Sequence, residues 1–319
     1  MPINIPDDLP AREVLEGEGI EVMREYDAVR QDIRPLRILL MNLMPKKIET
    51  EIQIARVLSH TPLQVDLTLL TTASYTPSNT SQQHLSAFYK TLDQVRDQKF
   101  DGLIVTGAPV ERLEFEAVDY WQELCEVFDW ADRNVFRRFN ICWGAQAALY
   151  HRFGVPKYDL GGKLSGVYEQ DVLAPSNRLL GGFPTRFPCP VSRYTTVKRE
   201  DIEAVPQLKL LASSEISGPC FVEDQSTGDT YSFNHPEYDA DTLLQEYERD
   251  LKAEPDVAVP ANYFPGDDPA APPINAWRPY GYLAFGNWMS GLYRDTPFEM
   301  TRIGAGIGLP QPRSGNAAV

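Results

Sequence analysis

Phe139-Asn140-Ile141-Cys142-Trp143-Gly144-Ala145-Gln146-Ala147-Ala148 changes character at its fourth residue. The residues up to Cys142 suit a short buried strand, and the small residues from Gly144 suit a helix entered through a tight turn. Working outward from this step, the same alternation recurs. Upstream, 102–106 (GLIVT) reads as a strand and 118–136 as a helix. Further back, 65–70 reads as a strand and 81–95 as a helix. Ile38-Leu39-Leu40-Met41 is an unbroken apolar run, as expected of a strand buried on both faces. Ile48, Ile52, Val57 and Leu58 then carry helical spacing across 46–60. Strands alternating with helices of this length predict βαβ units, hence an α/β fold with a doubly wound, mainly parallel sheet.

The second half is less regular. Strands are expected at 167–172, 208–212, 220–223 and 230–234, helices at 241–252 and 280–293, and a long ordered loop at 254–279. An irregular acidic arm over 1–35, one α/β domain over 36–300 and a disordered tail over 301–319 complete the expected organisation.

Composition narrows the class. The chain has 319 residues with 30 Lys+Arg against 45 Asp+Glu, a formal charge of −15. Nucleic acid and anionic membranes are therefore poor partners, although a local cation cluster can still bind a small anion. The four cysteines and four histidines are scattered without a CxxC pair, which argues against a disulfide scaffold and a structural metal. No signal peptide and no apolar run of spanning length are visible, so a cytoplasmic location is expected.

Cys142, at the step from strand to helix, has the placement of a nucleophile elbow. A helix N-terminus there favours a thiolate, and the amide of Trp143 can donate to an oxyanion. Sites in open parallel sheets lie at the carboxyl ends of strands, where Cys142 would be. Cys125, Cys189 and Cys220 read as structural. The second signal is Ser232-Phe233-Asn234-His235-Pro236-Glu237-Tyr238, after a late strand. Proline extends the backbone at His235, and residues two apart in an extended segment share a side. Glu237 can therefore fix the tautomer of His235 and favour its charged form. His60, His84 and His151 have no such neighbour in sequence and read as ordinary core or surface residues.

Together these segments resemble the class I glutamine amidotransferase superfamily, with its flavodoxin-like doubly wound sheet. Other stretches narrow the resemblance to the homoserine O-acyltransferase family of methionine biosynthesis. They include Asn42-Leu43-Met44-Pro45-Lys46-Lys47-Ile48-Glu49-Thr50-Glu51, Lys163-Leu164-Ser165-Gly166-Val167-Tyr168-Glu169, Ser192-Arg193-Tyr194 and Asn262-Tyr263-Phe264-Pro265. The resemblance runs to about Thr296. It implies ping-pong transfer from an acyl-coenzyme A to the hydroxyl of L-homoserine, with no resident cofactor and a homodimeric enzyme. Cys142 would carry the acyl group, His235 would act as general base, and Glu237 would orient it. Lys163, Ser192 and Arg249 carry over as homoserine-binding residues, and Arg249 offers a fork for a carboxylate. Trp143 and an amide of Gly107-Ala108 are candidates for the oxyanion hole. Lys46 and Lys47, at a strand-to-helix junction, are candidates to meet an anion, with two solvated lysines as the plainer alternative. Phe233-Asn234 ahead of His235 departs from the small residues more usual there.

Donor choice turns on Glu111, which follows Gly107-Ala108-Pro109-Val110 where succinyl-transferring members have glycine. A glutamate fills space and repels a succinyl carboxylate. Two like charges about 4 Å apart cost on the order of 4 kcal/mol at an effective dielectric near 20, a discrimination of hundreds-fold. The expectation is acetyl-CoA as donor and homoserine O-acetyltransfer, with succinyl transfer the nearest alternative. A glutamine amidotransferase-like C–N hydrolase is a further one, although those enzymes commonly place glycine where this chain has Ile141.

Overall fold

A computed structural model of the chain describes residues 3–6, 8–18, 22–23, 34–74, 79–253 and 255–304. The first strands are β1 (Ile3–Asn4), β2 (Val22–Met23), β3 (Leu36–Met41), β4 (Val65–Leu70), β5 (Tyr89–Lys90), β6 (Phe100–Val105) and β7 (Val135–Ile141). The later ones are β8 (Tyr158–Val172), β9 (Arg186–Thr196), β10 (Leu208–Ser214), β11 (Gly218–Asp224) and β12 (Thr230–Ser232). One sheet joins them in the order β2-β1-β4-β3-β6-β7-β12-β11-β10-β8-β9, with β5 on β4. The run β4-β3-β6-β7-β12 is parallel throughout. Its winding starts at β3, goes outward to β4, then returns to β3's other side, so the chain reverses between β3 and β6. That reversal opens a crevice at the carboxyl ends of the strands. From β12 the sheet continues antiparallel through β11, β10, β8 and β9.

Alternation along the central strands explains their apolar runs. Ile38, Leu40, Ile104 and Phe139 join one buried cluster with Ile54, Leu58, Phe285 and Trp288. Leu39, Met41, Leu103 and Val105 join another with Leu124, Phe128 and Leu149. The first cluster draws on α2 (Lys47–Ser59) and α9 (Arg278–Asp295), the second on α5 (Trp121–Asn134) and α6 (Trp143–Phe153). Helices thus cover both faces, and period-2 patterning disappears. Among the described residues no helix is long and apolar enough to cross a membrane.

Several expected elements differ. The arm is not irregular throughout: α1 (Pro10–Gly17) buries Ala11 and Leu15, and β1 pairs with β4. The single helix expected at 81–95 divides into α3 (Gln82–Phe88), the short β5 and α4 (Leu92–Val95), because Thr91 and Gln94 form a capping box that starts a new helix. The helix expected at 118–136 stops at Asn134, and Val135 and Phe136 already belong to β7. The strand expected at 167–172 is the end of the long β8. Its partner β9 was unforeseen, because Pro188 and Pro190 speak against a strand. β9 pairs only with β8 and is an edge strand, where proline is tolerated. A short helix α7 (Arg199–Glu203) follows it, and α8 (Thr242–Ala253) stands where a helix was expected. The loop expected at 254–279 buries Tyr263, Phe264 and Trp277 and bridges to β8 between Ala261 and Gly166. Most of the expected tail, 305–319, lies outside the described residues.

Candidate active site

β7 and β12 are adjacent and end together, with Ile141 opposite Ser232. The residues that follow them, Cys142 and the 233–237 segment, therefore leave the sheet side by side. The Cys142 N–H donates to the Ser232 carbonyl at 2.6 Å, which locks the turn. Cys142 itself sits at φ 50° and ψ −116°, a region that costs a non-glycine residue about 1–3 kcal/mol. The turn holds because α6 begins immediately: Ala145 and Gln146 N–H donate back to the Cys142 carbonyl at 3.0 and 3.1 Å. Gly144 is required by close approach. A Cβ there would lie 2.6 Å from the Thr106 carbonyl at the end of β6. The thiol is thereby held at the N-terminus of a helix, with the Trp143 N–H in the first turn, where backbone donors have no intrahelical partner.

His235 Nδ1 and Glu237 Oε1 are 2.7 Å apart, and both residues are buried. The imidazole is electrostatically coupled to the Cys142 thiol, whose Sγ lies 4.0 Å from the Ser192 carbonyl. Burial alone would lower the His235 pKa, but the Glu237 carboxylate and Cys142 outweigh it and raise it well above the ordinary value. The His235 N–H donates to the Pro190 carbonyl at 2.9 Å, and the ring stacks on Tyr238 at 4.0 Å. β9, the strand missed in the sequence, thus helps to hold the base.

An open cleft of about 400 Å³ exposes this group. Its walls include Met44, the 107–113 loop, Ser192, Tyr194, Tyr238, Glu246 and Arg249. Gly107 lies against the nucleophile, since a Cβ there would be 3.3 Å from Cys142 Cβ and 3.8 Å from Sγ. Ala108 lines the same wall. Glu111 also faces the cleft, and its Oε2 accepts from the Tyr194 N–H at 2.7 Å. Burial pushes the Glu111 carboxyl up, opposed by the Tyr194 and Thr195 amides.

Lys163 and Arg249 meet two acids that sequence reasoning missed. Lys163 Nζ contacts Glu246 Oε2 at 2.9 Å and Asp250 Oδ2 at 2.7 Å. Arg249 pairs with Asp250 at 2.7 Å. Ser192 Oγ donates to Glu246 Oε2, and Tyr238 OH donates to Glu246 Oε1 at 2.9 Å. Burial pushes Glu246 up, but Lys163 and the Ser192 hydroxyl hold it below the ordinary carboxylate value. Two cations and two anions alternate here; Glu246 and Arg249 line the cleft, whereas Lys163 and Asp250 do not. In sequence, Glu246 and Asp250 are two acids one turn apart on a charge-rich helix and carry no local signal of this role.

Lys46 and Lys47 are placed elsewhere. Lys46 is exposed and pairs with Glu49 at 2.9 Å. Lys47 is buried, donates to the Asn42 carbonyl, and lies over the Tyr89 ring at 5.1 Å. Its pKa is lowered to about 8 by burial, against the pull of Glu51. Neither lysine lines the cleft. The Trp143 indole is also turned away, into the core beside Phe115 and Tyr120. His84 and His151 have carboxylate neighbours after all, Glu51 at 2.9 Å and Asp129 at 2.7 Å, but both lie outside the cleft. Cys189 and Cys220 are buried, and Cys125 is half-buried with its thiol pushed up to about 11 by burial. Among the described residues no group of three His, Cys, Asp or Glu side chains is placed to hold a metal ion.

Comparison with known proteins identifies the family. Residues 2–298 match the family model described as homoserine O-succinyltransferase. A homoserine O-acetyltransferase of Hyphomonas neptunium is 52% identical over 304 residues, covering 95% of this chain and 100% of that protein. One from Brucella canis is 53% identical over 304 residues, covering 95% and 99%. Among solved structures, a glutamine amidotransferase from Thermotoga maritima superposes with a TM-score of 0.55 at 13% identity, covering 82% of this chain and 99% of that one. That likeness shows the fold, α/β of the class I glutamine amidotransferase type.

Proposed function

Because the chain belongs to the homoserine O-succinyltransferase family and is a homoserine acyltransferase, we propose that it moves an acetyl group from acetyl-CoA to the hydroxyl of L-homoserine through an S-acetyl-Cys142 intermediate. In the first half-reaction His235 takes the thiol proton and Sγ attacks the thioester carbonyl. The oxyanion is met by the Trp143 N–H at the start of α6 and by an amide of the Gly107-Ala108 loop. Collapse expels coenzyme A, which leaves with the proton from His235. In the second half-reaction His235 takes the proton of the homoserine hydroxyl, and its oxygen attacks the acyl-thioester. The ester departs and the Cys142 thiol is restored. Glu237 stabilises the imidazolium formed in each half.

The alternating charges at the rim fit a zwitterionic amino acid. Arg249 and Lys163 suit its carboxylate, and Glu246 suits its ammonium group. A rim that matches both charges supports homoserine over a neutral acceptor.

The observation that carries acetyl over succinyl is Glu111, whose side chain lies in the same cleft as Cys142 and His235. Its carboxylate is fixed by the Tyr194 amide, so it cannot swing aside without breaking a hydrogen bond. A succinyl tail would meet both its volume and its charge. The family description names succinyl transfer and both relatives name acetyl transfer, so the two donors must be compared directly. Thiol release from acetyl-CoA and from succinyl-CoA, each with and without homoserine, makes that comparison. Homoserine-dependent release with a preference for acetyl-CoA of about a hundredfold or more in kcat/KM is expected. Equal use of both donors would overturn the Glu111 argument.

A further inference from the structure

We infer that Arg112, at the mouth of the cleft, receives the diphosphate of the acyl-CoA donor, so that the nucleotide half leaves over the 109–113 loop. The inference rests on the acyl-CoA reading above and adds a site for the part of the donor that the chemistry does not touch.

The acyl carbon must reach Cys142, and the cleft around it, about 400 Å³, must also admit the acceptor. The charged nucleotide therefore lies outside, and the question is over which rim. One rim is the seat proposed above for the acceptor, where Lys163 and Arg249 already meet Glu246 and Asp250. The other is the 109–113 loop. There Arg112 is exposed, lines the cleft, and has no carboxylate at ion-pair distance among the described residues. Most other arginines near the site differ: Arg56 pairs with Glu18 and Asp239, and Arg249 with Asp250.

Arg112 is also held ready. Its guanidinium lies over the Tyr194 ring at 4.1 Å, and the Tyr194 backbone is fixed by Glu111. Stacking leaves the planar fork of N–H donors at the edge of the ring, which suits a phosphate. Lys157 braces the loop from behind, donating to the Glu111 carbonyl at 2.5 Å and to the Leu113 carbonyl. Glu111, the acid next to Arg112 in sequence, turns its carboxylate inward. Leu113, 47% exposed, offers an apolar surface beside the guanidinium for the arm that links thioester to diphosphate. In a chain of net charge −15, an unneutralised arginine at the cleft mouth is a local exception that favours an anionic donor.

The test compares R112E and R112K with wild type on three thioesters at saturating homoserine: acetyl-CoA, acetyl-dephospho-CoA and S-acetyl-N-acetylcysteamine, which lacks the nucleotide. In R112E the ratio of kcat/KM for acetyl-CoA to that for the short thioester should fall at least tenfold. The same fall is expected with acetyl-dephospho-CoA, because the contact is the diphosphate. R112K, which keeps the charge and loses the fork, should fall less. An R112E ratio equal to that of wild type would overturn the assignment. A fall seen with acetyl-CoA and absent with the dephospho donor would also overturn it, by moving the contact to the 3′-phosphate. Wild type that transfers from none of the three would end the acyl-CoA reading itself, and this assignment with it.

Discussion

His235 Nδ1 lies 2.7 Å from Glu237 Oε1, a contact between residues only two apart in the chain. The pair leaves the other imidazole nitrogen for Cys142, so tautomer and direction of the base are set by one local turn. Glu237 Oε2 is buried without a hydrogen-bond partner, so this carboxylate acts on the histidine through a single oxygen. His235→Asn should therefore lower turnover by roughly 10³-fold or more, since no group is left to move the proton. Glu237→Gln still offers a carbonyl oxygen to Nδ1 and should lose less than His235→Asn, by about tenfold or more. Steady-state kinetics of the two folded variants check the order. Equal and mild losses would mean that the pair is structural.

The same pair makes a stability prediction with a definite sign. The folded His235 pKa is raised above its ordinary value, with burial opposing and Glu237 and Cys142 prevailing. Such a group contributes stability that is fully present below the unfolded pKa, near 6.5, and is lost as pH rises through the folded pKa. The gap in Tm between wild type and Glu237→Gln should therefore be widest near pH 6 and narrow by about 2 °C or more toward high pH. A gap that widens with pH would contradict the charge pairing.

Glu111 separates charge from volume in donor choice. Glu111→Gly removes both and should raise kcat/KM for succinyl-CoA by at least about tenfold. Glu111→Gln keeps the bulk and the contact region near the Tyr194 amide but removes the charge. Because burial pushes the Glu111 carboxyl up, it takes up its proton at a higher pH than an ordinary carboxylate. Succinyl transfer by wild type should accordingly improve as pH falls, and the Gln variant should lose that pH dependence. If the Gln variant gains nothing and only Gly does, volume is the cause.

The central parallel strands were legible because burial on both faces leaves unbroken apolar runs such as 38–41, and because the helices between them keep their spacing. Cys142 and His235 were legible because an elbow and a His-Pro-Glu turn are local signals. β9 was not, since its two prolines are tolerated only through an edge position that the chain itself does not announce. Glu246 and Asp250 were hidden for a related reason. Their meaning depends on Lys163, more than 80 residues away in sequence, which contacts both. Lys46 and Lys47 misled in the opposite way: a strand-to-helix junction can meet an anion, yet here one lysine turns inward and the other pairs locally.

Glu246 tests the acceptor seat. Glu246→Gln keeps a carbonyl oxygen for one of Tyr238 and Ser192, whose hydroxyls donate to different oxygens of the carboxylate, and removes the charge facing an ammonium group. KM for homoserine should rise roughly tenfold to a hundredfold, the worth of one charged hydrogen bond. Formation of the acyl-enzyme from acetyl-CoA, measured by stopped reaction without homoserine, should fall far less. Parallel losses in both halves would place Glu246 in the fold of the site and not in acceptor binding.

The claim on which all of this rests is that Cys142 carries the acyl group. Intact mass after brief exposure to acetyl-CoA, without homoserine, tests it most directly, with the adduct mapped by peptide mass and Cys142→Ser run alongside. One acetyl group on Cys142 is expected, discharged on addition of homoserine and absent from the folded serine variant. No adduct on wild type, or full turnover by Cys142→Ser, would contradict it.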